Sequence, residues 1–255
     1  MLTDMLKRRE ALRAVGAVSL AALPGWLRAE SESADCAADV LVIGGGTAGT
    51  IAAIQAARAG AKTLVVEMGG QLGGTTTVGG VAYPGLFHAW EKQVIAGIGW
   101  ELVAAAVALD SGKMPDFSTP PARHSLHQVA VNGQLYAALA EEACLGAGVV
   151  LCYYEIPVAA RASGIGWEVD TVGKGFRRRI ACRQLIDCTG GADIVGMLGL
   201  PRLREAETQP GTLMFSFGGY DSSKLNADEI EERYQHALLD GTLKEGDFCH
   251  AGAPF

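Results

Sequence analysis

Charge is scarce in this sequence and neither sign dominates. Charged residues fill 19% of the 255 positions, too few for a coiled coil or a charged tail. Twenty-one basic residues stand against 28 acidic ones, a formal net of −7, and this lack of positive excess excludes a nucleic-acid surface. The six cysteines, Cys36, Cys144, Cys152, Cys182, Cys188 and Cys249, contain no C-x-x-C pair, so no zinc or iron–sulfur site and no metal ligand is assigned. Cys144, Cys152, Cys182 and Cys188 lie in helix and strand patterns that suit small buried hydrophobes. What the chain has in plenty is apolar residues, 49%, and 34 glycines, enough for a buried core of the α/β kind.

The N-terminus is read apart from the fold. "LKRREALRAVGAVSLAALPGWLRAES" opens on Lys7, Arg8, Arg9 and Arg13 and continues into an apolar stretch, Ala14 to Leu27, of signal-peptide length, too short and interrupted for a membrane span. The Arg8–Arg9 pair resembles a twin-arginine signal, with Lys7 and Ala11 departing from the usual residues. The alternative is an amphipathic helix of the mature protein. Cleavage after Ala29 would leave 16 basic and 26 acidic residues, an acidic body with no membrane span. An exported, periplasmic or extracellular location follows if the signal works, and a cytoplasmic one if it does not.

The most informative stretch is "VLVIGGGTAGTIAAIQAARAGAKTLVVE". Gly44, Gly46 and Gly49 fill G-x-G-x-x-G, and the context gives the motif its meaning. A buried-strand pattern (39–43) precedes it, a small-residue helix ending at Gly60 follows, and a second strand closes on Glu67 about twenty residues later. Gly44 permits the tight turn, Gly46 lets the backbone approach a pyrophosphate, and Gly49 lets helix and strand pack closely. The intervening Gly45, Thr47 and Ala48 complete the loop at a helix N-terminus suited to a dianion. Glu67 is placed to accept from ribose hydroxyls, which disfavours a 2′-phosphate and leaves NAD or FAD.

The next segment, "EMGGQLGGTTTVGG", adds Gly73 and Gly74 followed by Thr75, Thr76 and Thr77. Here the chain resembles the FAD-dependent oxidoreductases of the glutathione-reductase-like superfamily, in the branch that includes fumarate reductase flavoproteins. The resemblance implies FAD as cofactor, with the Gly73–Gly74–Thr75 loop beside the pyrophosphate and ribityl chain. "RQLIDCTGGADIVGMLGL" resembles the family's later "IDATGD" turn, which assigns Thr189, Gly190 and Asp193 to the cofactor site; Cys188 and Gly191 depart from the usual Ala and Asp. "QPGTLMFSFGGYD" resembles the first strand of a substrate-side domain. A backbone contact to the adenine, implied by the same resemblance, falls at Val158. A pyridine-nucleotide disulfide reductase would carry a C-x-x-x-x-C pair and a second glycine fingerprint, and neither is present.

The expected fold is α/β: a doubly wound, Rossmann-like FAD-binding domain with a three-stranded β-meander, then the start of a substrate-side domain. Its parts are a signal (1–29), a linker (30–37), the FAD-binding domain (38–204) and an apparently truncated second domain (205–255). Between the motifs, "GQLYAALAEEACLGAG" reads as a helix with Leu135, Ala138, Leu139 and Ala143 on its packed face, ending at Gly146. "GWEVDTV", "GKG" and "FRRRIAC" read as a meander whose basic run is a solvated face, and "QLID" as a strand of the parallel sheet. His88 is the candidate acid or base, polar surface being the plainer account. Trp100 reads as core and not as a flavin stack. The expected reaction is hydride transfer between a small organic substrate and flavin N5, with an electron acceptor the sequence does not identify. A cofactor-binding fragment needing a C-terminal half or partner chain is the second reading, and an NAD-binding dehydrogenase the third.

Overall fold

The computed structural model describes residues 33–89, 91–121, 124–205, 211, 218–219, 221, 224–244 and 247. The twin-arginine-like segment lies outside these residues, as does most of "QPGTLMFSFGGYD".

The chain opens with strand β1 (Ser33–Ile43), helix α1 (Thr47–Arg58) and strand β2 (Thr63–Glu67). A short hairpin of β3 (His88–Ala89) and β4 (Lys92–Gln93) leads to α2 (Ile98–Leu109). Helix α3 (Gly133–Gly146) is followed by β5 (Val150–Tyr153), β6 (Ile156–Ser163), β7 (Gly166–Gly173) and β8 (Phe176–Asp187). Two more helices are α4 (Asp193–Met197) and α5 (Ala227–Leu239), and short 3-10 turns lie at Gly74–Thr76 and His124–His127. One six-stranded sheet has the order β5-β2-β1-β8-β7-β6. Its first four strands run parallel and its last two pairings are antiparallel, so the Rossmann-like sheet and the meander are continuous.

Strand β8 joins them. The sequence reads "FRRRIAC" and "QLID" as separate strands, whereas the structure makes them one strand of 12 residues. It pairs with β7 from Phe176 to Cys182 and with β1 as far as Asp187. That second pairing also extends β1 back to Ser33, so residues 33–37 are strand and not the linker expected there.

Side-chain alternation along β1 builds two cores. Val42, with Val65 of β2, faces Ala53, Ile54, Leu102, Val103, Ala106, Tyr136, Ala140 and Cys144 on helices α1, α2 and α3. Leu41 and Ile43 face the other way, onto Val169 and Ile180 of the meander and Ile194 of α4. Central strands buried on both faces account for the unbroken apolar runs in the sequence. The packed face of α3 is a correction. Tyr136, Ala137, Ala140 and Cys144 are its buried residues; of the expected face, Leu139 and Ala143 pack half-buried against the same core, while Ala138 is exposed. The helix also runs through Gly146, and Gly148 takes the left-handed turn at φ 84°.

Candidate cofactor site

Because β1, β2 and β8 are parallel, the loops that follow them emerge at one end of the sheet, where open α/β folds bind ligands. All but one of the assigned cofactor residues stand on or next to these three loops, and the exception, Val158, starts the meander alongside.

The first loop turns at Gly44, whose φ of 98° excludes most side chains; a Cβ there would lie 2.3 Å from the Cys188 carbonyl oxygen. Gly49 is closed off in the same way, its hypothetical Cβ 1.8 Å from the Gly44 oxygen. Gly46 differs: a Cβ there meets nothing within 4 Å. Its φ of −61° suits any residue, so the backbone does not require glycine. The open volume over Gly46 lies at the head of α1. The first intrahelical bond there runs from the Thr50 N–H to the Gly46 oxygen, so the amides of Ala48 and Gly49 precede the helical ladder as free donors, while that of Thr47 turns to Gly73 in the bridge described next. No acidic side chain occupies the first turn. A phosphate fits these donors, the helix dipole and the space.

The second loop closes against the first. Gly73 pairs with Gly46 in an isolated parallel bridge, and the Gly73 N–H donates to the Gly45 oxygen at 2.9 Å. A Cβ on Gly74 would stand 3.0 Å from the Gly46 Cα. The Thr47 hydroxyl donates to the Gly73 oxygen at 3.2 Å and lies 3.4 Å from that of Thr76. Thr77 is buried and donates to the Leu72 oxygen at 2.7 Å, whereas Thr75 is exposed on the outer side of the loop. Thr76 and Thr77, which the sequence left without roles, are what shape this loop. The run of three threonines directly after the glycine pair was the available signal.

Glu67 fastens the same assembly. One carboxylate oxygen accepts the Gly45 N–H at 2.7 Å and the other the Gly69 N–H at 2.6 Å. Two oxygens offer about four lone-pair positions. Ribose hydroxyls therefore still find acceptors on a carboxylate that already fixes the fingerprint. Around it lie Met68 and Tyr154, both exposed, with Lys174 Nζ 4.9 Å from the Tyr154 ring centroid. The Tyr154 and Glu155 N–H groups donate to the Gly69 and Glu67 oxygens, which brings the start of β6 beside Glu67. Val158 sits there at a β-bulge, outside the pairing register and half exposed, so its backbone is not committed to β7.

The third loop follows β8. Cys188 N–H donates to the Ile43 oxygen at 2.8 Å, which locks this turn against the fingerprint. Gly190 has φ 79° with open space about it. Asp187, unassigned from sequence, organises the turn by accepting from Thr189 N, Thr189 Oγ1 and Val195 N at 2.7–3.0 Å. Burial raises its pKa, and these hydrogen bonds, together with one from the Ile194 amide, outweigh burial and hold it below the ordinary aspartate value. Asp193 is exposed, donates its N–H to Thr189 Oγ1 and pairs with Arg202 at 3.6 Å. Its carboxylate is thus turned to Arg202, while Thr189 and Gly190 line the loop.

His88 stands apart, in an aromatic cluster. Its ring stacks on Phe117 with centroids 3.8 Å apart and meets Trp100 edge-on at 5.3 Å. Its Nδ1 is buried without a hydrogen-bond partner. Burial first, and the nearby His127 second, lower its pKa. Trp100 packs with Phe87 and Phe117, in keeping with a core role.

The basic run is only partly solvated. Arg178 turns inward to Cys152 Sγ at 3.1 Å and to the buried Glu155 at 3.6 Å, and Glu155 also accepts from Thr171 Oγ1. Arg179 instead pairs outward with Asp170 at 2.9 Å. Alternation along β8 sends neighbouring arginines to opposite faces, which a run of like charge conceals. Cys144, Cys152 and Cys182 are buried as expected and Cys188 is half-buried, with burial pushing Cys144 and Cys182 up to about 11. Among the described residues no group of three or more His, Cys, Asp or Glu could hold a metal, and no helix is long and apolar enough to cross a membrane.

A family model described as FAD dependent oxidoreductase matches residues 39–247, and the chain belongs to that family. Its cofactor is FAD. Dihydrolipoyl dehydrogenase of Trypanosoma brucei brucei is 42% identical over 81 residues, which are 30% of this chain and 17% of that protein. Among solved structures, glycine oxidase from Geobacillus kaustophilus aligns with a TM-score of 0.46 at 16% identity, over 65% of this chain and 59% of its own. A flavoprotein/dehydrogenase from Cytophaga hutchinsonii aligns at 0.44 and 22%, over 67% and 44%. The chain spans less than two thirds of the length of each of these proteins.

Proposed function

We propose that this member of the FAD dependent oxidoreductase family transfers a hydride between a small organic substrate and flavin N5, within the branch that resembles fumarate reductase flavoproteins. The open cradle at Gly46, bounded by free amides of α1 and by the Gly73–Gly74 loop, carries the reading. When bound, FAD supplies the redox chemistry, and the chain supplies binding and orientation. Gly46, Thr47, Ala48 and Gly49 hold the pyrophosphate, Glu67 the ribose, the Val158 backbone the adenine, and Gly73, Gly74, Thr75, Thr189 and Gly190 flank the chain toward the flavin.

His88 is proposed as the group that holds or moves a proton on the substrate. An unpartnered buried Nδ1 with a lowered pKa supports a neutral imidazole there. The electron acceptor, and a partner chain or further segment covering the flavin ring, belong to the same proposal. Export by the Arg8–Arg9 signal suits a protein that takes up its cofactor while folding in the cytoplasm. The purified chain should show flavin absorption bands that bleach with a suitable donor. A colourless protein that binds NAD and not FAD would overturn the reading.

A further inference from the structure

Tyr154 lies in the turn between β5 and β6, in a conformation that a bulky side chain seldom adopts. Its φ is 56°, in the left-handed region. Such a residue persists only where its surroundings over-determine it. Here both neighbours are anchored. The Tyr153 hydroxyl donates to the Glu141 carboxylate at 2.7 Å, and the Glu155 carboxylate is buried and met by Thr171 and Arg178. The turn itself is tied down at the end of β2: the Tyr154 N–H donates to the Gly69 oxygen at 3.1 Å, and the Glu155 N–H to the Glu67 oxygen at 3.2 Å. Of these three residues Tyr154 alone turns outward, 57% exposed next to the strand pair of Glu67 and Tyr153.

The ring is held in place although it is exposed. Lys174 Nζ stands 4.9 Å from its centroid, a cation–π distance. Its hydroxyl fills the place that a side chain on Gly70 would take, since a Cβ there would lie 2.1 Å from Tyr154 Oη. An aromatic side chain that strains its own backbone, is oriented at two points and buries little of itself is a surface for something flat. Adenine is the flat group at this end of the cofactor: Glu67 is the residue proposed for the ribose, and Val158, half exposed at its bulge, lies on the strand that follows Tyr154. We propose that Tyr154 is the aromatic platform on which the adenine stacks, with Lys174 and the missing side chain of Gly70 setting the orientation of the ring. Stacking engages the face of the base and leaves its hydrogen-bonding edge to the Val158 backbone. This inference rests on the FAD reading above.

Tyr154→Asn removes the ring with a residue that suits the left-handed backbone, and Tyr154→Phe keeps the ring. The full chain, stripped of flavin, is titrated with FAD, ADP, adenosine and inorganic pyrophosphate, the last lacking a base. Tyr154→Asn should weaken the three adenine ligands by a common factor of about five- to a hundredfold, the worth of one base–aromatic stack, and leave pyrophosphate unchanged. Tyr154→Phe should bind all four as the parent does. The adenine H2 and H8 resonances of bound ADP should lie upfield in the parent and in Tyr154→Phe and move back in Tyr154→Asn, a ring-current signature that a role in folding alone would not produce. Gly70→Val pushes the ring aside without removing it and should match Tyr154→Asn, and the double variant should be no worse than the poorer single. If Tyr154→Asn fails to fold, Gly70→Val carries the same four-ligand comparison. Unchanged affinity for the adenine ligands, an equal loss for pyrophosphate, or the absence of a ring-current shift would overturn the proposal. Failure of the unmodified chain to bind FAD would instead remove the cofactor reading, and with it this inference.

Discussion

The carboxylate of Glu67 holds the amide of Gly45 at 2.7 Å across 22 residues of sequence, joining the end of β2 to the turn after β1. The residue proposed to bind ribose therefore also braces the fingerprint. Glu67→Ala should lower stability by about 1 to 3 kcal/mol even without cofactor, the range for charge-assisted hydrogen bonds. FAD should lose affinity in addition. Denaturant melts of the flavin-free chain, paired with FAD titrations, separate the two effects; unaltered melts would show that the brace is idle.

Gly46 and Gly49 share a motif but not a reason. Open space over Gly46 means that Gly46→Val should fold and melt much as the unmodified chain does, within about 0.5 kcal/mol, yet bind no FAD. Gly49→Ala puts a methyl against the Gly44 oxygen and should cost about 1 to 3 kcal/mol or more of fold stability. Circular dichroism melts with a flavin titration read both outcomes. Unfolding of Gly46→Val would argue that this position is structural.

The inward Arg178 gives a third expectation. Glu155 is 1% exposed, and its charge is met by Arg178 and Thr171. Arg178→Ala should destabilise by about 3 to 5 kcal/mol, because an uncompensated buried carboxylate remains. The double variant Glu155→Leu with Arg178→Met should recover most of that loss. A single variant as stable as the parent would show that water already reaches the pair.

These residues mark what the sequence could and could not convey. The order of strand, glycine turn, helix, strand and acid is legible because each step has a local signature, and β1, α1 and β2 form accordingly. Assignment of Gly73 and Gly74 to the site rested on resemblance, and the structure sets both against Gly46. What escaped is decided by tertiary contact. Which residues of α3 are most deeply buried depends on what α1 and α2 bring against it, which the placing of its leucines does not give. Arg178 looks like its neighbours until β8 has a face, and the continuity of β8 depends on pairing with β1 along its whole length. Asp187 stands inside the "IDCTGG" stretch, yet its role shows only once the turn gathers the Thr189 and Val195 donors about its carboxylate.

Asp187 yields a pH expectation. Its folded-state pKa lies below the unfolded value, so its contribution to stability is present above the ordinary aspartate pKa and is lost as pH falls through the folded one. Asp187→Asn should be less stable than the parent at neutral pH, and the gap should narrow on acidification. Parallel stability curves for the two proteins would assign the turn's stability to its other bonds.

His88 works in the opposite pH region. Its folded-state pKa is lowered by burial and by His127, so the unfolded chain takes up this proton first as pH falls. The stability it contributes is complete above the unfolded value of about 6.5 and is lost as pH drops toward the folded value. His88→Phe keeps an aromatic ring to stack on Phe117 and removes the proton site. The difference in melting temperature between parent and variant should therefore move in the variant's favour as pH falls from about 7 to about 5. FAD binding should be unaffected, since the aromatic cluster lies apart from the glycine loops. Once a substrate is found, turnover should fall by about a hundredfold or more, the usual contribution of a general acid or base. Equal pH dependence in the two proteins would place the proton elsewhere in the cluster, and unimpaired turnover would leave His88 a packing residue.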